Sequence, residues 1–172
     1  FVENKSEGRL WEEQFDFHLA AGKKITLTTE PHPKYSGGGA SSVINGVFGS
    51  DERYGDAEWL GFAGDDFEAV IEFGETKQLN EIKLRFFKGE GQWIYLPAGI
   101  EIFASTDGKD YQSVAQHGAV EGDKKVIETT LALPSVDAAY IKVLVKNFGI
   151  IPEKRQGGGN AAWLFVDEVV LR

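Results

Sequence analysis

Apolar residues recur at every second position along much of this chain, and no stretch of 12 or more residues carries them at helical spacing. Ile25 and Leu27 alternate with Thr26 and Thr28, and Ala69, Ile71 and Phe73 with Val70 and Glu72. The same beat runs through Ile82, Leu84 and Phe86, through Ile100 and Ile102, and through Ile141, Val143 and Val145. Successive side chains of a strand point to opposite faces, so a period of two builds sheets with one face covered. The final run, Trp163 to Leu171, is nearly all apolar and suits a strand covered on both faces. Turn signals separate the runs: Gly89-Glu90-Gly91, Asp107-Gly108, Glu121-Gly122-Asp123 and Gly157-Gly158-Gly159-Asn160. The pattern predicts an all-β fold, an antiparallel β-sandwich of the jelly-roll kind, over residues 21–172. Residues 1–20, polar with Trp11, Phe15 and Phe17 embedded, read as a linker or lead-in.

A chain of 172 residues is long enough for one domain with a real core. It needs no staples, and the absence of cysteine removes disulfides, thiolate metal sites and thiol nucleophiles. It opens Phe1-Val2-Glu3 and contains no methionine, so it is expected to be a piece of a longer protein whose targeting signal lay upstream. No apolar run approaches the roughly 18 residues of a membrane helix. The formal charge of −9, without a basic cluster, disfavours nucleic acid and polybasic attachment to anionic lipid. A neutral, hydroxyl-rich ligand tolerates that charge.

Catalytic patterns are missing. Asp65-Asp66 and Asp167-Glu168 are adjacent pairs, whereas glycoside hydrolysis needs two carboxyls roughly 5–9 Å apart across a sugar. Neighbours on a strand point to opposite faces, so neither doublet makes such a pair. His18, His32 and His117 are scattered without ligand spacing, and Gly157-Gly158-Gly159, lacking a phosphate-loop lysine, reads as a flexible loop. The longest irregular stretches are 30–40, 49–57, 87–96 and 147–161, rich in aromatic and charged residues, and long loops of a compact β domain commonly carry function.

Several short motifs occur in a telling order. Val43-Ile44-Asn45-Gly46-Val47-Phe48-Gly49-Ser50 is followed by Trp59-Leu60-Gly61-Phe62, then by the hairpin Ser105-Thr106-Asp107-Gly108-Lys109-Asp110-Tyr111, and last by Trp163-Leu164-Phe165-Val166-Asp167-Glu168. Over roughly residues 20–172 this resembles the discoidin, or coagulation-factor type C, domain. With Tyr35-Ser36-Gly37-Gly38-Gly39 and Trp93-Ile94-Tyr95-Leu96-Pro97, the chain looks like the C-terminal modules of bacterial β-hexosaminidases, also called chitobiases. Those enzymes belong to glycoside hydrolase family 20 and are common in gut Bacteroidetes.

The resemblance implies a galactose-binding-domain-like jelly roll similar to family 32 carbohydrate-binding modules. It implies a non-catalytic accessory of an exported glycosidase, periplasmic, outer-surface or secreted. The partners expected are the parent catalytic domain and a glycan ending in galactose, N-acetylgalactosamine or N-acetylglucosamine. The ligand of such modules lies among loops at one end of the sandwich, which makes Tyr35, Arg53, Tyr54, Trp93 and Arg155 the candidate contacts, with His32 and Glu153 behind them. Pyranoses present an apolar face to aromatic rings and hydroxyls to charged and amide groups. Trp59 and Trp163 are expected in the core.

The resemblance also implies a structural calcium held by Asn45, the Val47 carbonyl, Ser50 and Glu168, with Asn45 and Ser50 standing where Asp and Thr are usual. The alternative makes Asn45-Gly46 a plain tight turn. A second alternative concerns the role: a structural module that packs on the catalytic domain through Trp93-Ile94-Tyr95-Leu96-Pro97 and binds no sugar.

Overall fold

The computed structural model describes residues 15–172, which form seven strands. These are β1 (Lys24–Leu27), β2 (Leu60–Ala63), β3 (Phe67–Phe87), β4 (Gly99–Ser105), β5 (Gln112–His117), β6 (Val126–Lys146) and β7 (Trp163–Leu171). Every pairing between strands is antiparallel. The expected all-β sandwich is what the chain forms.

Two strands of 21 residues, β3 and β6, make the sandwich by belonging to both layers. The first part of β3 pairs with β1 and with the C-terminal half of β6, which continues through β4 to β5. Its last part pairs with the N-terminal half of β6 and with β7, and β7 pairs with β2. Between these parts the β3–β6 register slips twice, after Glu72 and after Leu79. At the second slip the partner jumps from Val136 to Ala132, and Ser135 takes up the excess at φ 50°. Such bulges bend a strand and raise its twist, and here they turn one hydrogen-bonded sheet over on itself. Alternating residues then meet in the middle: Phe67, Ala69, Ile71, Ile82, Leu84 and Phe86 of β3 have no exposed surface.

The period-two reading holds within each strand but not at the joints. The run from Trp59 to Gly74 reads as one strand; Gly64-Asp65-Asp66 breaks it into β2 and β3. Conversely, the runs around Ile71 and Leu84 are one bent strand. The first half of β6 carries its signal in Thr129, Leu131 and Leu133, each buried, and the exposed Pro134 and Ser135 that end the run mark the bend.

The domain also starts earlier than position 21. Asp16 N–H donates to the Gly46 carbonyl (2.8 Å), Leu19 N–H to the Leu171 carbonyl (2.9 Å), and Ala20 is fully buried. Residues 15–20 are therefore built into the sandwich, because their backbone supplies donors to a turn and to the last strand. The remainder of the expected lead-in, residues 1–14, lies outside the described residues.

Candidate functional site

Three long connections converge where β7 begins: 28–59 after β1, 88–98 between β3 and β4, and 147–162 between β6 and β7. Trp163 N–H donates to the Trp93 carbonyl (2.8 Å) and Tyr95 N–H to the Trp163 carbonyl (3.0 Å), so backbone bonds splice the second connection onto β7. On this frame the aromatic residues pack edge to face. Tyr35 meets Trp163, Phe165 and Tyr54 with ring centroids 5.3, 5.0 and 5.8 Å apart, and Tyr54 meets Phe87 and Phe165. His32, exposed, sits edge-on to Trp163 at 5.1 Å. Such rings prefer this geometry, each pair contributing about 0.5–1.5 kcal/mol beyond its buried area. Tyr35 and Tyr54 remain half-buried, so each is both packing and surface. Trp59 is wholly buried as expected, its Nε1–H donating to the Ser50 carbonyl at 3.1 Å. Trp163, expected in the core, is only half-buried and joins the loop cluster instead.

Trp93 stands apart. It is 39% exposed and adopts the left-handed backbone conformation, φ 64°, at the end of a short 3₁₀ turn over Glu90–Gln92. That conformation is uncommon for a bulky residue and persists where the surroundings impose it. Gly157 supplies part of that constraint: its own φ is 84°, and a Cβ there would fall 2.5 Å from the Trp93 ring. A Cβ on Gly158 would meet the Glu153 backbone at 2.6 Å. The triglycine is thus a close-packed turn, bonded from Gly159 N–H to the Ile151 carbonyl (2.8 Å), rather than the flexible loop its composition suggested. The exposed Glu153 packs its carboxylate towards Gly159 within the same turn.

Beside this turn lies an open hollow of about 370 Å³, lined by Lys88, Glu90, Tyr95, Pro97, Phe148 and Arg155 among others. The Tyr95 and Phe148 rings meet tilted by 30° with centroids 4.8 Å apart, and the exposed Arg155 guanidinium lies over both rings, 5.7 and 5.5 Å from their centroids. Burial, with the Glu90 charge adding to it and Arg155 opposing it, holds the Tyr95 hydroxyl above its usual pKa. It stays a neutral donor, bonded to the Gln156 carbonyl at 2.8 Å. Of the candidate contacts, the structure gathers Tyr35, Tyr54 and His32 around Trp163, and places Arg155 in the hollow. Arg53 is exposed, and among the described residues no ion pair or ring contact ties it to either place. Sequence reasoning named Tyr95 only within the Trp93–Pro97 run and made no contact of Phe148, Lys88 or Glu90; their signal was membership of the same long loops that supplied Trp93 and Arg155.

On the other side of the Ser42–Ser50 turn, two adjacent carboxylates of β7 grip it. Asp167 Oδ2 accepts from Gly49 N–H (2.8 Å) and pairs with the buried Arg85 guanidinium. Glu168 Oε1 accepts from Gly46 N–H (3.1 Å) and from His18 Nε2 (2.8 Å). Arg85 also lies 4.5 Å over the Phe48 ring. Burial pushes Asp167 up to about 8, against the pull of Arg85 and of the Gly49 N–H, and burial raises Glu168 likewise. Both act as structural anchors of the turn.

The Asn45 and Ser50 side chains expected to hold calcium are bonded within the turn, whereas Glu168 Oε2 has no partner among the described residues. Asn45 Oδ1 accepts from Val47 N–H (2.7 Å), closing the tight turn, and its amide donates to Glu58 (2.7 Å). The Ser50 hydroxyl accepts from Glu52 N–H (3.2 Å) and its carbonyl from Trp59. Among the described residues no three His, Cys, Asp or Glu side chains gather as metal ligands would. As arranged, the Asn45 and Ser50 side chains serve the turn rather than a shared cation, and the reading of Asn45-Gly46 as a tight turn describes their geometry.

A profile of the F5/8 type C domain matches residues 24–165. Solved structures share the fold. The C-terminal domain of a chitobiase from Bacteroides fragilis is 20% identical, over 91% of this chain and 97% of that one, with a TM-score of 0.60. The Clostridium perfringens module CpGH89CBM32-5, in complex with GalNAc-β-1,3-galactose, is 16% identical over 86% and 93%, TM-score 0.57. Chitosan-binding module 1 of a chitosanase/glucanase from a Paenibacillus species is 16% identical over 91% and 99%, TM-score 0.58. No curated protein matches the chain. With the profile spanning most of the sequence and the sandwich agreeing in topology, this chain belongs to the F5/8 type C domain family.

Proposed function

We propose that this domain is a non-catalytic carbohydrate-binding module, the accessory of an exported glycosidase of the β-hexosaminidase kind, and that it takes a glycan ending in galactose, N-acetylgalactosamine or N-acetylglucosamine. The observation that carries the reading is Trp93: a tryptophan held exposed in a left-handed backbone and wedged against Gly157, in the same turn that brings Arg155 to the hollow, although Trp93 itself does not line it. An exposed ring suits the apolar face of a pyranose, and Arg155, Lys88 and Glu90 suit its hydroxyls. Glycan complexes of similarly folded modules support the same reading. A purely structural role would use the Trp93–Pro97 run as a docking patch, but Ile94, Tyr95, Leu96 and Pro97 are buried inside the domain. No helix among the described residues is long and apolar enough to cross a membrane.

Titration of the domain against a glycan panel, followed by amide shifts, tests the proposal. Saturable shifts at Trp93, Arg155 and Phe148 are expected, and Trp93→Ala is expected to weaken binding by about tenfold or more, the equivalent of 1.4 kcal/mol. No sugar bound at millimolar concentration would overturn the reading.

A further inference from the structure

The resemblance implies a calcium ion between the Asn45–Ser50 turn and Glu168. We infer that in this chain His18 and the Gly46 backbone take the cation's place on Glu168, so that the domain folds and works without calcium.

The tautomer of His18 follows from its neighbours. Its Nδ1 lies 3.2 Å from Ala20 N–H and 3.4 Å from Leu171 N–H, both donors, so this nitrogen keeps its lone pair. The proton of the neutral ring is therefore on Nε2, which donates to Glu168 Oε1 at 2.8 Å. Both side chains are wholly buried. With Gly46 N–H on the same oxygen, Oε1 faces two donors, and a donor proton at that distance occupies the approach a cation needs. Calcium asks for six to eight oxygens. Of the expected set, Asn45 Oδ1 and the Ser50 hydroxyl already accept backbone protons, and Asn45 turns its amide to Glu58. Glu168 Oε2 has no partner among the described residues, and with the Val47 carbonyl it leaves two oxygens of the expected set against that requirement. His18 does more than substitute. It lies in the segment whose backbone bonds to Gly46 and Leu171, so the imidazole ties the start of the domain, the tight turn and the last strand together at one carboxylate.

The test compares wild type and variants of the full chain in EGTA and in millimolar calcium, by calorimetric titration and by thermal melting. Wild type is expected to show no saturable calcium heat and one melting temperature in both media. His18→Ala, which strips a donor from a buried carboxylate, is expected to melt about 5 °C or more lower in both media. His18→Gln, which keeps an N–H donor, should recover part of that loss. The ring ¹⁵N shifts of wild-type His18 at neutral pH should show protonated Nε2 and bare Nδ1. Saturable calcium binding, a calcium-dependent rise in wild-type melting, or a bare Nε2 would each overturn the inference, and so would a His18→Ala variant that melts like wild type. If that variant does not fold, the wild-type measurements decide.

Discussion

Gly157 and Arg85 show two ways in which one residue sets this structure. At Gly157 the requirement is doubled: φ 84° disfavours any side chain, and the Trp93 ring occupies the space of a Cβ. Gly157→Ala is expected to lower the melting temperature by only about 2–4 °C, the shift that about 1 kcal/mol produces in a domain of this size. Its effect on glycan affinity should be larger, about tenfold, because the displaced ring is the proposed contact; melting and titration on the same sample separate the two. At Arg85 the requirement is electrostatic. Its guanidinium is buried with Asp167, whose carboxylate has no exposed surface. Arg85→Ala removes one partner of a buried pair and is expected to destabilise by about 1–3 kcal/mol in denaturant unfolding, since a carboxyl already pushed up to about 8 is left as a buried acid without its main donor. Replacing both residues by apolar ones of similar volume should recover much of that loss. Only the charge pair leaves a local sign in the sequence. An arginine in Leu84-Arg85-Phe86-Phe87 and an acid in Phe165-Val166-Asp167 announce charges in apolar strands that need each other. Nothing in Gly157-Gly158-Gly159, by contrast, reveals which ring lies against it, because that contact is set by a loop more than 60 positions away.

The strands themselves were legible because alternation is a local signal, and the architecture followed from it. Their ends were not, because the bends of β3 and β6 depend on where the two strands slip against each other. The β4–β5 hairpin is the element whose chemistry could be read most directly. Asp107 Oδ1 accepts from the Lys109 and Asp110 backbone N–H groups (2.9 and 3.0 Å) and from the Ser105 hydroxyl (2.9 Å). Those bonds to the charged form hold Asp107 below the usual carboxylate pKa. A pKa depressed by folding contributes stability that is present above the unfolded value, near 3.8, and is lost as pH falls through the lower folded value. The hairpin turn is therefore expected to loosen in acid, below that range, with faster exchange of the Lys109 and Asp110 amides. Asp107→Asn, which cannot be protonated there, should flatten this dependence. Amide exchange measured across the acid range checks it, and an Asp107 that titrates at or above its ordinary value would refute it.

At the scale of the molecule, the sandwich separates two tasks. One side of the Ser42–Ser50 turn is held by buried carboxylates of β7, and the connections that this end positions carry the half-exposed rings and the hollow. Motif order in the sequence pointed to the first task as a metal site and to the second as a sugar site; the buried partners that decide the first, His18 and Arg85, come from distant segments. On the proposed function, a single shallow module binds weakly, and tethering to an enzyme would raise its effective concentration at a glycan surface. Charge then decides which glycans suit it. The chain carries −9 overall, and the hollow sets Lys88 and Arg155 against Glu90, Glu121 and Asp123, a nearly balanced set that is slightly acidic. For a neutral sugar no long-range term operates, so the dissociation constant should change by less than about twofold as the Debye length shrinks from about 30 Å to about 3 Å. A sulfated or uronic glycan must approach against the net charge and should bind worse in dilute buffer than in moderate salt, where that repulsion is screened. Titrating one neutral and one sulfated form of the same sugar across ionic strength measures both slopes. Steep weakening with salt for the sulfated form would mean that Arg155 and Lys88, rather than the exposed ring of Trp93, set the specificity.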